Sequence, residues 1–137
     1  MDPAARGLES LSGPAGSLLR ATLQKDEPVT HAVPAIGSVV VLTARRLLIV
    51  REGSSFRPKT GVRDWPIDNH LVVRPGLVRH GSGSVTIRRD RDTTSVFIQS
   101  AHWAEALRLI GALRGRIRVE QEEREARDRE SQGGSVD

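Results

Sequence analysis

A chain of 137 residues has room for one domain with a single core, and a bias toward arginine, alanine and glycine, of the kind a GC-rich coding genome produces, explains part of its formal net charge of +4 without an anionic partner. The basic residues are nearly all arginine, with Lys25 and Lys59 the only lysines, and a solvated arginine surface accounts for the charge as a whole. Without cysteine the chain holds neither disulfides nor thiolate metal ligands, which suits a reducing compartment. The N-terminal MDPAARGLESLSGPAG has an acid at position 2 and no apolar core of signal-peptide length, and no apolar run approaches a membrane span; the sequence reads as a cytoplasmic protein.

Residues 1 to about 13 are rich in Gly, Pro, Ser and Ala, with little to bury. From Ser17 to Lys25, Leu18, Leu19, Thr22 and Leu23 recur at helical spacing, which predicts a short amphipathic helix stopped by Pro28. A helix this short must dock to be stable. PVTHAVPA, from Pro28 to Ala35, alternates with Val29, His31, Val33 and Ala35 on one side, and its two prolines confine it to a sheet edge. The stretch from Gly37 to Gly53 organises the rest of the chain. Val39 to Leu42 and Leu47 to Val50 are two apolar runs of strand type around the polar tip Thr43-Ala44-Arg45-Arg46, a β-hairpin. Neither run alternates, so both faces of the hairpin require cover, and the Leu18, Leu19 and Leu23 edge or a second protomer can supply it.

Ser54 to Arg63 is a polar, basic loop anchored by Phe56. Strands resume at Arg63 to Ile67 with Trp65, at His70 to Arg74 with Leu71 and Val73, and, after a turn at Pro75-Gly76, at Leu77 to His80. Gly81-Ser82-Gly83 predicts a further turn. Val85 and Ile87 then alternate with Thr86 and Arg88, and beyond the charged turn Asp90 to Thr93 come Val96 and Ile98 opposite Phe97. About seven short strands with turn signals between them predict an antiparallel barrel or sandwich.

A helix closes the series, with Ser100 as N-cap, Glu105 near its positive end, and an apolar stripe of Trp103, Ala106, Leu107, Ile110, Leu113 and Ile117 against the barrel. Gly111 and Gly115 cost about 1 kcal/mol each in a helix interior, which predicts close backbone approach to the sheet. Beyond Val119, pairs Glu120–Arg124, Glu123–Arg127 and Glu125–Arg129 at i,i+4 spacing predict a solvated helical extension. The expected organisation is therefore a flexible segment with a short helix at 1–26, a folded domain at 27–117, and a charged helical extension with a disordered tail at 118–137.

This pattern resembles the bacterial pleckstrin-homology-like domains with a short YokE-type unit. The resemblance rests on Leu42-Thr43-Ala44-Arg45-Arg46-Leu47-Leu48 as a Thr-x-x-Arg hairpin, on Trp65-Pro66-Ile67, and on a final helix with Ala104, Leu107 and Ile110. It covers about Glu27 to Ile117. The resemblance implies a mainly β fold with terminal helices: a seven-stranded, antiparallel, partly open barrel capped by the C-terminal helix. It implies no catalytic residues and no cofactor; some members oligomerise, and eukaryotic relatives bind phosphoinositides or peptides. Where lipid-binding relatives place a basic cluster, between the first two strands, this chain has Ala35-Ile36-Gly37-Ser38, which counts against phosphoinositide binding in that mode.

The chemistry-bearing residues point the same way. His31, His70, His80 and His102 have no metal-ligand spacing, and no G-x-S-x-G elbow is present. Glu52, Asp64 and Asp68 lie at strand ends beside Arg51, Arg63 or a turn, where surface ion pairs are the usual role. Two basic clusters remain as binding candidates. The first is Arg51, Arg57, Lys59 and Arg63 with Phe56 beside them; the second is Arg88, Arg89 and Arg91, with Arg74 and Arg79 in the vicinity. Aromatics for base stacking are scarce. The reading is a non-enzymatic interaction module or adaptor that binds protein or peptide, with self-association included. A peripheral anionic-lipid binder is the alternative, and a small nucleic-acid-binding barrel the second.

Overall fold

The two apolar runs do form a hairpin, and both of its faces are covered. In the computed structural model, which describes residues 13–52 and 60–133, helix α1 (Gly13–Thr22) precedes strands β1 (Val29–Ala35), β2 (Ser38–Thr43), β3 (Arg46–Glu52), β4 (Thr60–Pro66), β5 (Leu71–Arg79), β6 (Ser82–Arg89) and β7 (Asp92–Gln99). A 3-10 turn (Ser100–His102) leads into the long helix α2 (Trp103–Gly133). All neighbouring strands are antiparallel. β1 to β4 make one sheet in chain order, and β5 to β7 make a second.

In β2 and β3 alternate residues serve different cores. Val40, Leu42, Leu47 and Ile49 face inward, with Val33 and Trp65, onto Leu71, Val73, Val85, Ile87, Val96 and Ile98 of the second sheet and Ala106, Leu109, Ile110 and Leu113 of α2. Val39, Val41, Leu48 and Val50 face outward onto Leu19 of α1, with Leu23, Val29 and Val62 at the margin. The predicted docking of the N-terminal helix is thus present through Leu19 and Leu23; the Leu18 side chain lies outside the described ones. The helix starts and ends earlier than Ser17 to Lys25. It stops at Thr22, well before Pro28, because the chain must turn back there to bring Glu27 under the hairpin.

β7 crosses the first sheet rather than following it. Near its start, Asp92 and Thr94 receive hydrogen bonds from Arg63 of β4, and near its end the Phe97 carbonyl accepts from the Ile36 amide beside β1. One strand therefore reaches from one edge of the first sheet to the other, the geometry of steeply crossed sheets that close into a partly open barrel. Helix α2 lies over the mouth. Trp103 packs on the core directly above Gly83, where an added Cβ would stand 2.5 Å from the indole, so a side chain at this strand position is incompatible with the ring.

Several local expectations are corrected. Pro75-Gly76 does not turn the chain: β5, an edge strand, runs through it as one strand with a register shift between Pro75 and Val78, and edge strands and bulges are where a sheet accommodates proline. The next turn is His80-Gly81, both at positive φ, and Gly83 belongs to β6. In β1 a register shift between Val29 and His31 moves Val29 to the outer face, away from Val33 and Ala35. Leu107 is exposed and Leu109 takes its place, since the stripe through Ala106, Ile110 and Leu113 lies roughly a quarter turn from Leu107. Gly111 and Gly115 have no neighbour within 4 Å of a built Cβ, so close approach does not explain them. Ser100 is the first residue of the 3-10 turn, not a cap; its amide donates to the Gly81 carbonyl. Of the three ion pairs expected on the α2 extension, Glu120–Arg124 is the one within reach, at 4.0 Å.

We propose that residues 27–117 fold on their own, as the sequence predicts, but without the cover that Leu19 and Leu23 provide. Such a fragment should show a β-rich circular dichroism spectrum and self-associate through Val39, Val41, Leu48 and Val50, giving a mass above the monomer in light scattering. A monomeric fragment would contradict the role given to α1, and an unfolded one the boundaries.

Candidate functional site

The most extensive polar arrangement among the described residues lies at the tip of the β2–β3 hairpin. Thr43 and Arg46 flank the two-residue turn Ala44-Arg45, and the Thr43 hydroxyl accepts from the amides of Arg45 and Arg46, each at 3.1 Å. The same hydroxyl donates to Glu27 Oε2 at 2.8 Å. Arg46 grips Glu27 with two parallel bonds, Nε to Oε2 at 2.7 Å and Nη2 to Oε1 at 2.8 Å, the geometry in which a guanidinium matches a carboxylate. It also donates to the Thr22 carbonyl at the end of α1 and to Asp64 on β4, both at 2.7 Å. From α2, Arg116 donates to the Thr43 carbonyl at 3.1 Å.

Glu27 is 4 % exposed, and a lone buried carboxylate would be strongly destabilising. The Arg46 hydrogen bonds overcome the cost of burial and, with the Gln24 amide, the Thr43 hydroxyl and the Arg46 charge, lower its pKa from 4.5 to about 2. The Glu27 hydrogen bond likewise holds Arg46 above its ordinary value, against burial. These groups are saturated by one another and by the backbone. They form a structural knot joining α1, the hairpin, β4 and α2.

Of the first basic cluster, Phe56, Arg57 and Lys59 lie outside the described residues. Arg51 and Arg63 are diagonal neighbours on one face of the first sheet, opposite Gly61 and Ile49 respectively. Arg63 is already engaged: it bonds Asp92, donates to the Thr94 hydroxyl at 2.6 Å, and stacks over Trp65 with its guanidinium 5.2 Å from the ring centroid. Arg63 thereby also holds the Asp92 carboxyl below its usual value. The second cluster divides. Arg89 turns to the inner edge and pairs with Asp68 at 2.7 Å, whereas Arg88 is exposed on the outer face of β6 and Arg91 is exposed in the β6–β7 turn. Arg74 and Arg79, on β5, are exposed as well. Asp64 and Asp68 do form ion pairs, with Arg46 and Arg89 rather than with the adjacent arginines.

No group of three or more potential metal-ligating side chains is present among the described residues, and no helix in them is long and apolar enough to cross a membrane. A groove of about 720 Å³ runs between the hairpin tip and α2, and its Arg45 and Arg116 are bound to Asp26 and to the Thr43 carbonyl.

Two sheets in this strand order, crossed steeply and capped by a C-terminal helix, have a solved counterpart in a pleckstrin homology domain from Shewanella amazonensis SB2B. The two superpose with a TM-score of 0.54 at 13% identity, over 74% of this chain and 96% of that one. This chain has the pleckstrin-homology fold. No family model matches the sequence, and no curated protein matches it either. Within this fold the Thr-x-x-Arg hairpin has a concrete role here, to hold Glu27. Sequence reasoning picked out Thr43 and Arg46 but not their acidic partner, which lies 16 and 19 residues earlier with no spacing signal to mark it.

A depressed folded-state pKa adds stability that is fully present above the ordinary value and is lost as pH falls through the folded one. The Glu27 contribution, on the order of 3 kcal/mol, should therefore disappear between about pH 4.5 and pH 2. Denaturant titrations across that range should show Glu27→Gln less stable by about this amount at neutral pH, with a flatter acid limb. Parallel pH profiles for variant and parent would contradict the assignment.

Proposed function

We propose that the protein is a non-enzymatic interaction module that binds another protein or a peptide through the outer face of β5, β6 and β7. The supporting observation is an asymmetry between the two sheets. The outer face of the first sheet is sealed by α1, while the corresponding face of the second carries no covering element among the described residues. Phe97 is 53 % exposed there, beside the equally exposed Ile36 of the β1–β2 turn, and Leu77 on the β5 bulge is 75 % exposed. Apolar side chains rimmed by arginine and hydroxyl residues have the composition of a binding surface, since aromatic and arginine side chains are enriched at interfaces. An adaptor role accords with this, because the described residues bring together charged groups that neutralise one another rather than a nucleophile with a base.

Removing the apolar anchors tests the reading. The double variant Leu77→Ala, Phe97→Ala should keep the parent melting temperature, as exposed positions do, yet lose about tenfold or more in affinity for a protein captured from the source lysate. Recovery of phosphatidylserine vesicles instead of protein would replace this reading with peripheral lipid binding. Undiminished capture by the variant would move the site to another face, with Arg51, Phe56, Arg57, Lys59 and Arg63 next to test.

A further inference from the structure

We propose that this face recognises an acidic, extended segment of a partner protein, with Arg74 and Arg88 as the paired anchors for its carboxylates. The inference rests on the interaction-module reading and adds the chemistry of the partner. Charge is unevenly distributed over the second sheet. β5, β6 and β7 carry four arginines and a single acid, Asp92. Asp92 points away from the outer face and is bound by Arg63 and Trp65, while Arg89 is bound by Asp68. The others are Arg74, Arg79 and Arg88, with Arg91 in the adjoining turn. None of these four has a hydrogen-bond or ion-pair partner among the described residues. On the first sheet and the barrel-facing part of α2, by contrast, Arg45, Arg46, Arg63, Arg114 and Arg116 bind acids or carbonyls, while Arg108, Arg118, Arg127 and Arg129 of α2 are likewise without a partner among the described residues.

Register places two of the unpaired arginines together. Arg74 stands opposite Thr86 and Arg88 opposite Val72, so the two are diagonal neighbours on one face, with Cβ atoms about 7 Å apart. Two like charges at that spacing repel, and the sheet offers no acid to relieve them. Carboxylates at alternate positions of an extended segment project from one face about 7 Å apart, the same interval. Each would then meet one guanidinium. Hydroxyls line the rest of the track: Thr93 stands opposite Arg88, and Thr86 and Ser95 lie 3.3 Å apart in the next row. One row further, Phe97 stands opposite Ser84, which faces the β5 bulge at Gly76 and Leu77. The complementary segment therefore has two acids at alternate positions followed by an apolar residue.

A bilayer fits this arrangement less well. Phe97 lies within a strand and Ile36 in a two-residue turn, so neither stands on a projecting loop that could insert while the arginines remain at the headgroups.

Nuclear magnetic resonance titration of the full chain tests the proposal. The probes are a short peptide alternating glutamate with valine and ending in phenylalanine, its lysine-for-glutamate counterpart, and phosphatidylcholine vesicles containing phosphatidylserine. The glutamate peptide should shift amides at Arg74, Thr86, Arg88, Ser95 and Phe97, bind several-fold more weakly when salt is raised well above physiological strength, and lose about tenfold or more in affinity to Arg74→Glu, Arg88→Glu. That variant must retain the parent spectrum elsewhere, and Arg74→Lys, Arg88→Lys should retain most of the binding. Peptide shifts on another face, or binding indifferent to the reversal, would overturn the inference and leave the module reading standing. Vesicle binding lost on the same reversal, with no peptide binding, would overturn both.

Discussion

Glu27 cannot be buried without Arg46, and much of the architecture depends on that pairing. A carboxylate with almost no solvent contact is tolerated because a bidentate guanidinium, a hydroxyl and a backbone amide together replace its water. Arg46 in turn has donors left over. It uses them on the last turn of α1 and on β4, so the group that neutralises Glu27 also fastens the N-terminal helix across the sheet. The hydrophobic contacts of Leu19 and Leu23 supply the driving force for docking; the knot fixes where the helix ends and which way the chain leaves it.

That fastening sets the character of the two sheets. With Val39, Val41, Leu48 and Val50 sealed under α1, the hairpin becomes a strand pair buried on both faces, which explains sequences that do not alternate. β6 and β7 do alternate, because one side packs on the core and the other meets solvent. The exposed side is where Phe97, Arg74 and Arg88 lie. Among the described residues α1 seals one face and nothing covers the other, where exposed apolar and cationic side chains lie together.

Much of this was legible in the sequence. Continuous apolar runs around Thr43 to Arg46 identified the hairpin and its two-sided burial, and strict alternation in Val85 to Ile87 and Val96 to Ile98 identified the half-exposed strands. The misses have physical causes. Pro75-Gly76 has the composition of a turn but sits on an edge strand, where a bulge absorbs it. Gly83 reads as turn glycine, yet its absent side chain makes room for Trp103, a contact that only tertiary structure creates. Leu107 and Leu109 straddle the stripe, and the choice between them depends on which flank of α2 meets the barrel. Basic clusters were visible as composition; which arginines are free was not, because Arg63 and Arg89 find partners 29 and 21 residues away.

Amide hydrogen exchange on the full chain with Arg46→Met tests most directly whether the knot holds α1 in place. Protection should fall sharply at the Leu23 amide, which donates to the Leu19 carbonyl at the end of α1, and next along β2 and β3 as their outer face opens, while β5 to β7 keep the protection of the parent. Undiminished protection at Leu23, or a uniform loss across both sheets, would contradict a knot that fastens the helix.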